Sequence, residues 1–444
     1  MLLKLLLIIL ICNLIITYKK LQSLVAPAIL FVGGFTVAVC VAILYEEEWG
    51  MSKVHTETFW CILIGTTLFS FINILFNKET VKSRHRDLSN VTFEQLFKTK
   101  NLTRLLIVSL FLQLYVFYTK LTTFINYYGT SDIATLLFSI RMDGRGDDKV
   151  ILFSSLFSNL NYVCSCLYFF WCTIMATYII CKGKNKPIFI FLLLNMFVQF
   201  IKEMLGGDRG TSINSIFCFG VIFLCKYASI KKQLKIPKKY LIYMAIVAIL
   251  IASSLKASAL FMGREQVEES TAAYQFAVYC GAEIKNLDIW FGHPTHSEWF
   301  GQSTLSVLVD ELNTKFDAGI LETKYSTIDM FNTFGIFNLG NVLTTFYNFF
   351  QDGGYIGICV FTLLMASLAS LVYSNVKKVK NPIHTNVIDV LYAKIAFSLL
   401  MCFFANRFYN EIISIMFLRY LLYCWILGFF FKKYIYKIKL LSPL

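Results

Sequence analysis

Apolar residues in this chain come in continuous blocks rather than on one helical stripe. Blocks of about 17 to 25 residues, the length that crosses a bilayer as a helix, fall near 2–18, 24–44, 58–76, 105–126, 159–181, 187–205, 211–228, 239–260, 355–375, 387–406 and 411–431. They predict about eleven membrane-spanning helices. A soluble fold of this length would carry amphipathic periods and more charge, and a transmembrane β-barrel would alternate in strands of about ten residues. The expected fold class is therefore all-α, a polytopic integral membrane helical bundle. Residues 1–260 read as helices joined by short external loops, 261–354 as a long external segment, and 355–444 as the last helices with a basic cytoplasmic tail.

Charge sharpens this picture. Lysine and arginine outnumber acids 41 to 27, giving a net charge of +14. Such an excess raises nucleic acid as a partner, but the positions decide against it. The basic residues gather in alternate loops, such as Lys19 and Lys20, Lys78 to Arg104, Lys182 to Lys186, Lys226 to Lys239, Lys377 to Lys380 and Lys432 to Lys439. By the positive-inside rule these loops face the cytoplasm. The intervening loops hold most of the acids, including Glu46, Glu47, Glu48, Asp143, Asp147 and Asp148. Membrane lipid is thus the expected surroundings, with the N-terminus outside and the C-terminus inside. The first block is followed, not preceded, by Lys19-Lys20 and lacks a small-residue cleavage site, so it reads as an uncleaved first helix. The 13 cysteines lie almost entirely within apolar blocks, as small hydrophobes do, and the long external segment holds only Cys280. No disulfide framework and no metal-ligand spacing is present in the pattern.

The expected external side is the more elaborate. Its long segment is rich in Tyr, Trp, Phe, Gly and amides, too aromatic for disorder. It predicts a folded, mostly helical cap on the outer face. No internal repeat and no matching pair of interrupted apolar segments is visible, which weighs against a secondary transporter.

Between two apolar blocks stands GGDRGTS, Gly206 to Ser212. A helix starting near Thr211 would present free N–H groups at the outer interface; Gly207 and Gly210 let the backbone approach a ligand, and Arg209 adds a planar fork that suits phosphate. The same residues equally describe a helix end followed by a cap, with Arg209 paired to Asp208. Further external arginines are Arg141 and Arg145 in RMDGRGDDK, Arg264 in FMGREQ and Arg407 in FFANRFYNEI. Each also fits a solvated loop or a side chain reaching to headgroups. Several arginines near the membrane plane, without an acidic metal cluster, suit a lipid-linked pyrophosphate handled without a metal or other cofactor. A base must then accept a proton from a sugar hydroxyl. The candidates are His296 first, then Glu283 and Asp288, with His293 beside Pro294 reading as a polar loop residue. His55 lies in a short loop without such company. Trp290, Phe291, Trp299, Phe300 and Tyr325 could stack on sugars or form an interfacial belt. Arg419 and Lys394 are charges within apolar blocks, hence either functional or helix-locking.

The arrangement resembles the Wzy-type oligosaccharide repeat-unit polymerases of bacterial surface polysaccharide synthesis. The residues that carry the resemblance are the GDRG turn, the stretches YCGAEIKNLDIWF and WFGQSTLSVLVDEL, and FFQDGGYIG entering the next helix. In the last of these Gln351 precedes Asp352 and Gly354 stands out of strict register. The resemblance implies a glycosyltransferase at the outer face of the bacterial cytoplasmic membrane that requires no nucleotide. Its donor and acceptor would be undecaprenyl-pyrophosphate-linked oligosaccharides, its product a capsule, exopolysaccharide or O-antigen, and its companions a flippase and a chain-length regulator. Arg209 would bind pyrophosphate, with Arg141 and Arg264 as further contacts, and transfer would invert the anomeric centre. An O-antigen ligase-like transferase shares the layout and donor. A lipid-linked oligosaccharide flippase is the reading from another class, against which the long external segment speaks.

Overall fold

The computed structural model describes residues 1–77, 91–143, 152–206, 209–231, 237, 240, 242, 271–321, 332–334, 337–379, 383–384 and 386–437. In chain order the helices are α1 (Leu2–Leu21), α2 (Pro27–Leu44), α3 (Thr56–Asn77), α4 (Phe93–Leu96), α5 (Thr99–Tyr128), α6 (Ile133–Asp143), α7 (Ser155–Ile180), α8 (Lys186–Met204) and α9 (Arg209–Lys231). After them come α10 (Ala272–Cys280), α11 (Ala282–Trp290), α12 (Ser306–Phe316), α13 (Thr345–Lys377), α14 (Val387–Leu400), α15 (Arg407–Ile412) and α16 (Ile415–Tyr434). Before α13 a short antiparallel hairpin pairs β1 (Asn332–Phe334) with β2 (Phe337–Gly340). Among the described residues nine helices are long and apolar enough to cross a membrane: α1, α2, α3, α5, α7, α8, α9, α13 and α16. The chain is thus an all-α polytopic membrane protein.

This set differs from the eleven expected blocks at two places. The block 239–260 lies outside the described residues apart from Tyr240 and Ile242. The block 387–406 forms α14, of only 14 residues. Such a helix rises about 21 Å at 1.5 Å per residue, short of the ~30 Å hydrocarbon core. A 3-10 turn, Met401–Phe403, follows it, and α15 starts afresh at Arg407. The break is held by Asn406, whose Oδ1 accepts from the Thr345 hydroxyl at 3.1 Å and whose Nδ2 donates to the Thr304 carbonyl at 2.9 Å.

The chain divides into two compact units. The first comprises Met1–Lys82, Ala273–Lys378 and Lys394–Leu418, so the expected external segment belongs to the same body as the first three helices. Within it α3 packs along α13. Gly65 permits the approach, since a Cβ there would lie 2.1 Å from the Phe346 ring. Phe346 in turn meets Phe35 at 4.9 Å, and Phe31 stacks on Phe69 at 4.4 Å. Buried Asn73 crosslinks three helices by accepting from the Ala28 N–H at 3.2 Å and donating to Ser370 Oγ at 2.7 Å. The span expected at 355–375 begins earlier, at Thr345, and is bent at Gly353 and Gly354, whose φ of 57° is a left-handed conformation that glycine adopts without penalty.

The second unit comprises Ser83–Ala272, Val379–Ala393 and Arg419–Leu444. Ser154 caps α7 by accepting from the Phe157 N–H at 3.3 Å, and Asn185 caps α8 by accepting from the Ile188 N–H at 3.2 Å. From Cys164 to Ile180 almost every residue of α7 is buried, which makes it the central helix of this body. Several polar groups inside are paired: Gln113 Nε2 donates to Asn195 Oδ1 at 3.0 Å, Asn195 Nδ2 to the Leu106 carbonyl at 3.0 Å, and the Trp171 indole to Ser109 Oγ at 3.0 Å. Lys226 Nζ meets Asp389 Oδ2 at 2.7 Å and the His384 carbonyl at 2.8 Å, with both charged side chains buried.

Candidate functional site

In the second unit, the last turns of α8 carry Gln199, Lys202 and Glu203 at helical spacings of three and four, so all three share one face. Lys202 is 2% exposed, and its Nζ has no hydrogen-bond partner. Beside it, Lys120 of α5 donates from Nζ to the Lys202 carbonyl at 3.5 Å. Glu203 is engaged elsewhere: Oε1 accepts from Gln199 Nε2 at 3.0 Å, and Oε2 accepts a short hydrogen bond from the Ser215 hydroxyl of α9. Gln199 Nε2 also reaches Ser165 Oγ of α7 at 3.1 Å, and the Tyr168 hydroxyl donates to the Ser215 carbonyl at 2.9 Å.

The first half of α7 continues this polar wall. The Arg419 guanidinium lies 5.0 Å from the Tyr162 ring and 6.0 Å from the Tyr423 ring. Tyr423 donates to Asn159 Oδ1 at 2.9 Å, and Tyr420 donates to the Ser165 carbonyl at 3.4 Å. Asn161 Oδ1 and Ser212 Oγ are buried without partners. Three cations, Lys120, Lys202 and Arg419, therefore border α7 and its neighbours, and among the described residues none has a carboxylate at ion-pair distance. An ammonium held out of water without a counter-ion is costly. The arrangement is complementary to an anion.

The GGDRGTS turn adjoins this cluster in sequence. Helix α9 starts at Arg209, and Gly210 lies in its first turn. Gly207 and the Arg209 side chain are outside what the structure describes, as are Arg145, Arg264 and the Arg141 side chain at the end of α6. The first turn of a 23-residue helix supplies N–H groups and the positive dipole end.

The expected bases lie in the first unit. Glu283, on α11, is fully buried, and neither carboxylate oxygen has a hydrogen-bond partner. Burial pushes its carboxyl well above the usual range. A protonated acid without solvent access is unsuited to taking a proton from a substrate. His293 and His296 are exposed on the stretch after α11. Asp288 is buried, with Oδ1 accepting from the His55 N–H at 2.8 Å and the Thr58 hydroxyl at 3.1 Å, while His55 Nδ1 lies 3.1 Å away. Lys285 Nζ stands 3.8 Å from its other oxygen. Burial lowers the Lys285 ammonium from its usual range, and Asp288 opposes that shift.

The stretches FGQST and FFQDGG meet. Asp352 accepts from the Ser297 hydroxyl at 2.6 Å and from the backbone N–H groups of Ser303 and Thr304, both at 2.8 Å. Gln351 Nε2 donates to Thr295 Oγ1 at 3.1 Å. Here Asp352 ties a loop to the head of α13. Arg407 is held by Glu411 at 3.1 Å, and Lys394 is half-buried on α14.

Lys120, Lys202 and Glu203 are not among the candidates drawn from the sequence, and His55 was set aside there as a short-loop histidine. For the first three a signal existed, since charged residues inside an apolar block mark function by default. For His55 there was none, because its partner lies 233 residues away.

No protein-family model, no curated protein and no solved structure matches this chain.

Proposed function

We propose that the chain is a membrane glycosyltransferase that joins lipid-pyrophosphate-linked oligosaccharide repeat units into a surface polysaccharide. The observation that carries this reading is the buried, unpartnered ammonium of Lys202, with Lys120 beside it and Arg419 along the same α7 wall. A pyrophosphate on a lipid tail brings multiple negative charges to the depth of a membrane protein's interface, where a water-borne anion would be poorly retained. Cations in a low-dielectric setting stabilise charge far better than the same groups in water.

In the proposed reaction these cations, with Arg209, hold the donor's pyrophosphate. As the sugar–pyrophosphate bond breaks, negative charge builds on the departing phosphate, and the same cations stabilise it. Breaking that bond supplies the driving force, so no nucleotide is needed. The outer face of a bacterial cytoplasmic membrane is the location this reading assigns, following the alternation of basic loops.

The test is deletion of the gene in its host, followed by gel analysis of lipid-linked and surface glycans. Single repeat units without a ladder support polymerisation. An intact ladder left on the carrier lipid would redirect the reading to a ligase, and repeat units trapped inside the cell would make the protein a flippase. Complementation with Lys202→Met then asks whether the cluster serves the reaction.

A further inference from the structure

We propose that one end of the second unit carries a binding surface for anionic phospholipid headgroups, assembled from three basic segments that lie far apart in the chain. The surface serves whatever chemistry the bundle performs.

The segments are 93–104, 182–186 and 432–437. Together they hold nine lysines and arginines against one acid, Glu94. The sequence sets each beside a different apolar block, and the fold joins them. The backbone of Phe97 bridges that of Tyr436 in antiparallel fashion. Around that bridge the Lys98 N–H donates to the Ile435 carbonyl at 2.8 Å and the Lys437 N–H to the Leu96 carbonyl at 3.1 Å. Asn101 Nδ2 adds a bond to the Tyr434 carbonyl at 3.0 Å. From α4, Glu94 Oε1 accepts from the Lys184 N–H at 2.7 Å, so the lone acid serves a backbone tie. Buried rings fill the join: Phe93 stacks on Phe97 at 4.4 Å, Phe97 meets Tyr436 at 5.0 Å, and Phe93 meets Tyr178 at 5.0 Å.

These ties use main-chain groups, an amide and a carboxylate, so most of the cationic side chains stay available. Lys98 and Lys437 turn their Nζ atoms to the carbonyls of Lys433 and Glu94, at 3.4 Å and 2.7 Å. Lys100, Lys184, Lys186, Lys432 and Lys433 are exposed. Among the described residues none of these five has a carboxylate at ion-pair distance.

The position of the patch points to its partner. It lies where α5 and α8 begin and where α7 and α16 end, and all four helices are long and apolar enough to cross a membrane. Ends of such helices stand at headgroup depth. Helix α5 opens without a side-chain cap and without an acid in its first turn, and the first turn of α8 also lacks an acid. Their positive dipole ends therefore add to the lysines. Like charges gathered by the fold repel one another, and a layer of phosphodiester headgroups relieves that repulsion. A soluble anion meets the same cations but has no acyl chains to keep it at that depth.

The experiment uses the full chain, stripped of lipid in a neutral detergent and incubated with equal amounts of phosphatidylglycerol and phosphatidylcholine. Retained lipid is counted by native mass spectrometry at low and at high salt, for wild type and two double variants. A cation near an anionic surface contributes about five-fold in affinity. Lys184→Gln/Lys433→Gln is expected to cut the preference for phosphatidylglycerol by about ten-fold or more, and high salt to weaken it in wild type. Lys19→Gln/Lys20→Gln removes the same charge from a single basic pair at the end of α1 and is expected to leave most of the preference. Equal melting temperatures in phosphatidylcholine alone show that the variants fold. Should the first pair melt lower, Lys100→Gln/Lys186→Gln reads the same surface. Equal retention of the two lipids by wild type overturns the proposal. An equal loss in both double variants also overturns it, as a general effect of charge. Displacement of the lipid by glycerol phosphate does so too, since the surface would then be a site for free phosphate.

Discussion

The Asp352 carboxylate binds the backbone N–H of Thr304 at 2.8 Å, although the two residues belong to a loop and a helix 48 positions apart. Asp352 also holds the N–H of Ser303 at 2.8 Å. Removing the acid leaves both buried donors without an acceptor, at about 1–3 kcal/mol each. Asp352→Ala is therefore expected to destabilise the first unit by roughly 3 kcal/mol, seen as a lower Tm in detergent and faster proteolysis within 291–305. An unchanged Tm would show that these bonds contribute little.

Lys202 makes the opposite prediction. Its ammonium is buried without a partner, so Lys202→Met removes a desolvated charge and keeps most of the volume. The variant is expected to melt higher than wild type and to lose polymer formation by about 10²-fold or more. Stability and activity would thus move apart, as they do where a site stores an unfavourable charge for its ligand. A lower Tm together with lost activity would mark Lys202 as a structural residue.

The Lys226–Asp389 pair is expected to be costly to halve. Both side chains are buried with 2.7 Å between the charged atoms. Lys226→Met leaves an uncompensated carboxylate, a loss of about 3–5 kcal/mol. The double variant Lys226→Met/Asp389→Leu should recover most of that. A thermal-unfolding cycle over the four proteins measures the coupling, and additive losses would refute it.

Glu283 gives a pH dependence with a definite sign. Burial raises its carboxyl in the folded protein above its unfolded value. Between those two values the folded state holds a proton that the unfolded chain has released, so stability falls as pH rises. Glu283→Gln should therefore raise Tm, and by more at pH 8 than at pH 5. An equal gain at both values would contradict the buried, protonated acid.

A pyrophosphate held by organic cations predicts indifference to chelators. Polymer formation by the purified protein should continue in EDTA, and Arg209→Lys should recover little of what Arg209→Ala loses, because a point charge lacks the two-pronged fork. Complete inhibition reversed by magnesium would defeat the cation-only mechanism.

The spans were legible because a bilayer demands continuous apolar sequence, and α1 to α3, α5, α7 to α9 and α16 follow the blocks closely. Hydropathy does not show where a helix breaks, which is why 387–406 read as one run although it is divided into α14, the 3-10 turn Met401–Phe403 and the residues before α15. The head of α13 was hidden for another reason. Asn348, Gln351 and Asp352 make it look like a loop, yet their partners come from residues 295 to 304, fixed only by tertiary packing. The GGDRGTS turn drew the eye to Arg209, and α8 immediately before it holds the buried lysine. The His55–Asp288 contact joins positions 233 residues apart, so it is fixed only by tertiary packing even though Asp288 was a candidate by itself.

The bend at Gly353 and Gly354 joins an eight-residue collar, Thr345 to Asp352, to a long apolar shaft. Because Asp352 is fastened to the 297–304 loop directly before the bend, that loop has no hinge of its own. Its amides should exchange with solvent at the slow pace of the collar rather than at the nanosecond-to-microsecond pace of a free loop. Any rearrangement there must rotate the collar about two glycines, so the loop and the shaft move as lever and fulcrum.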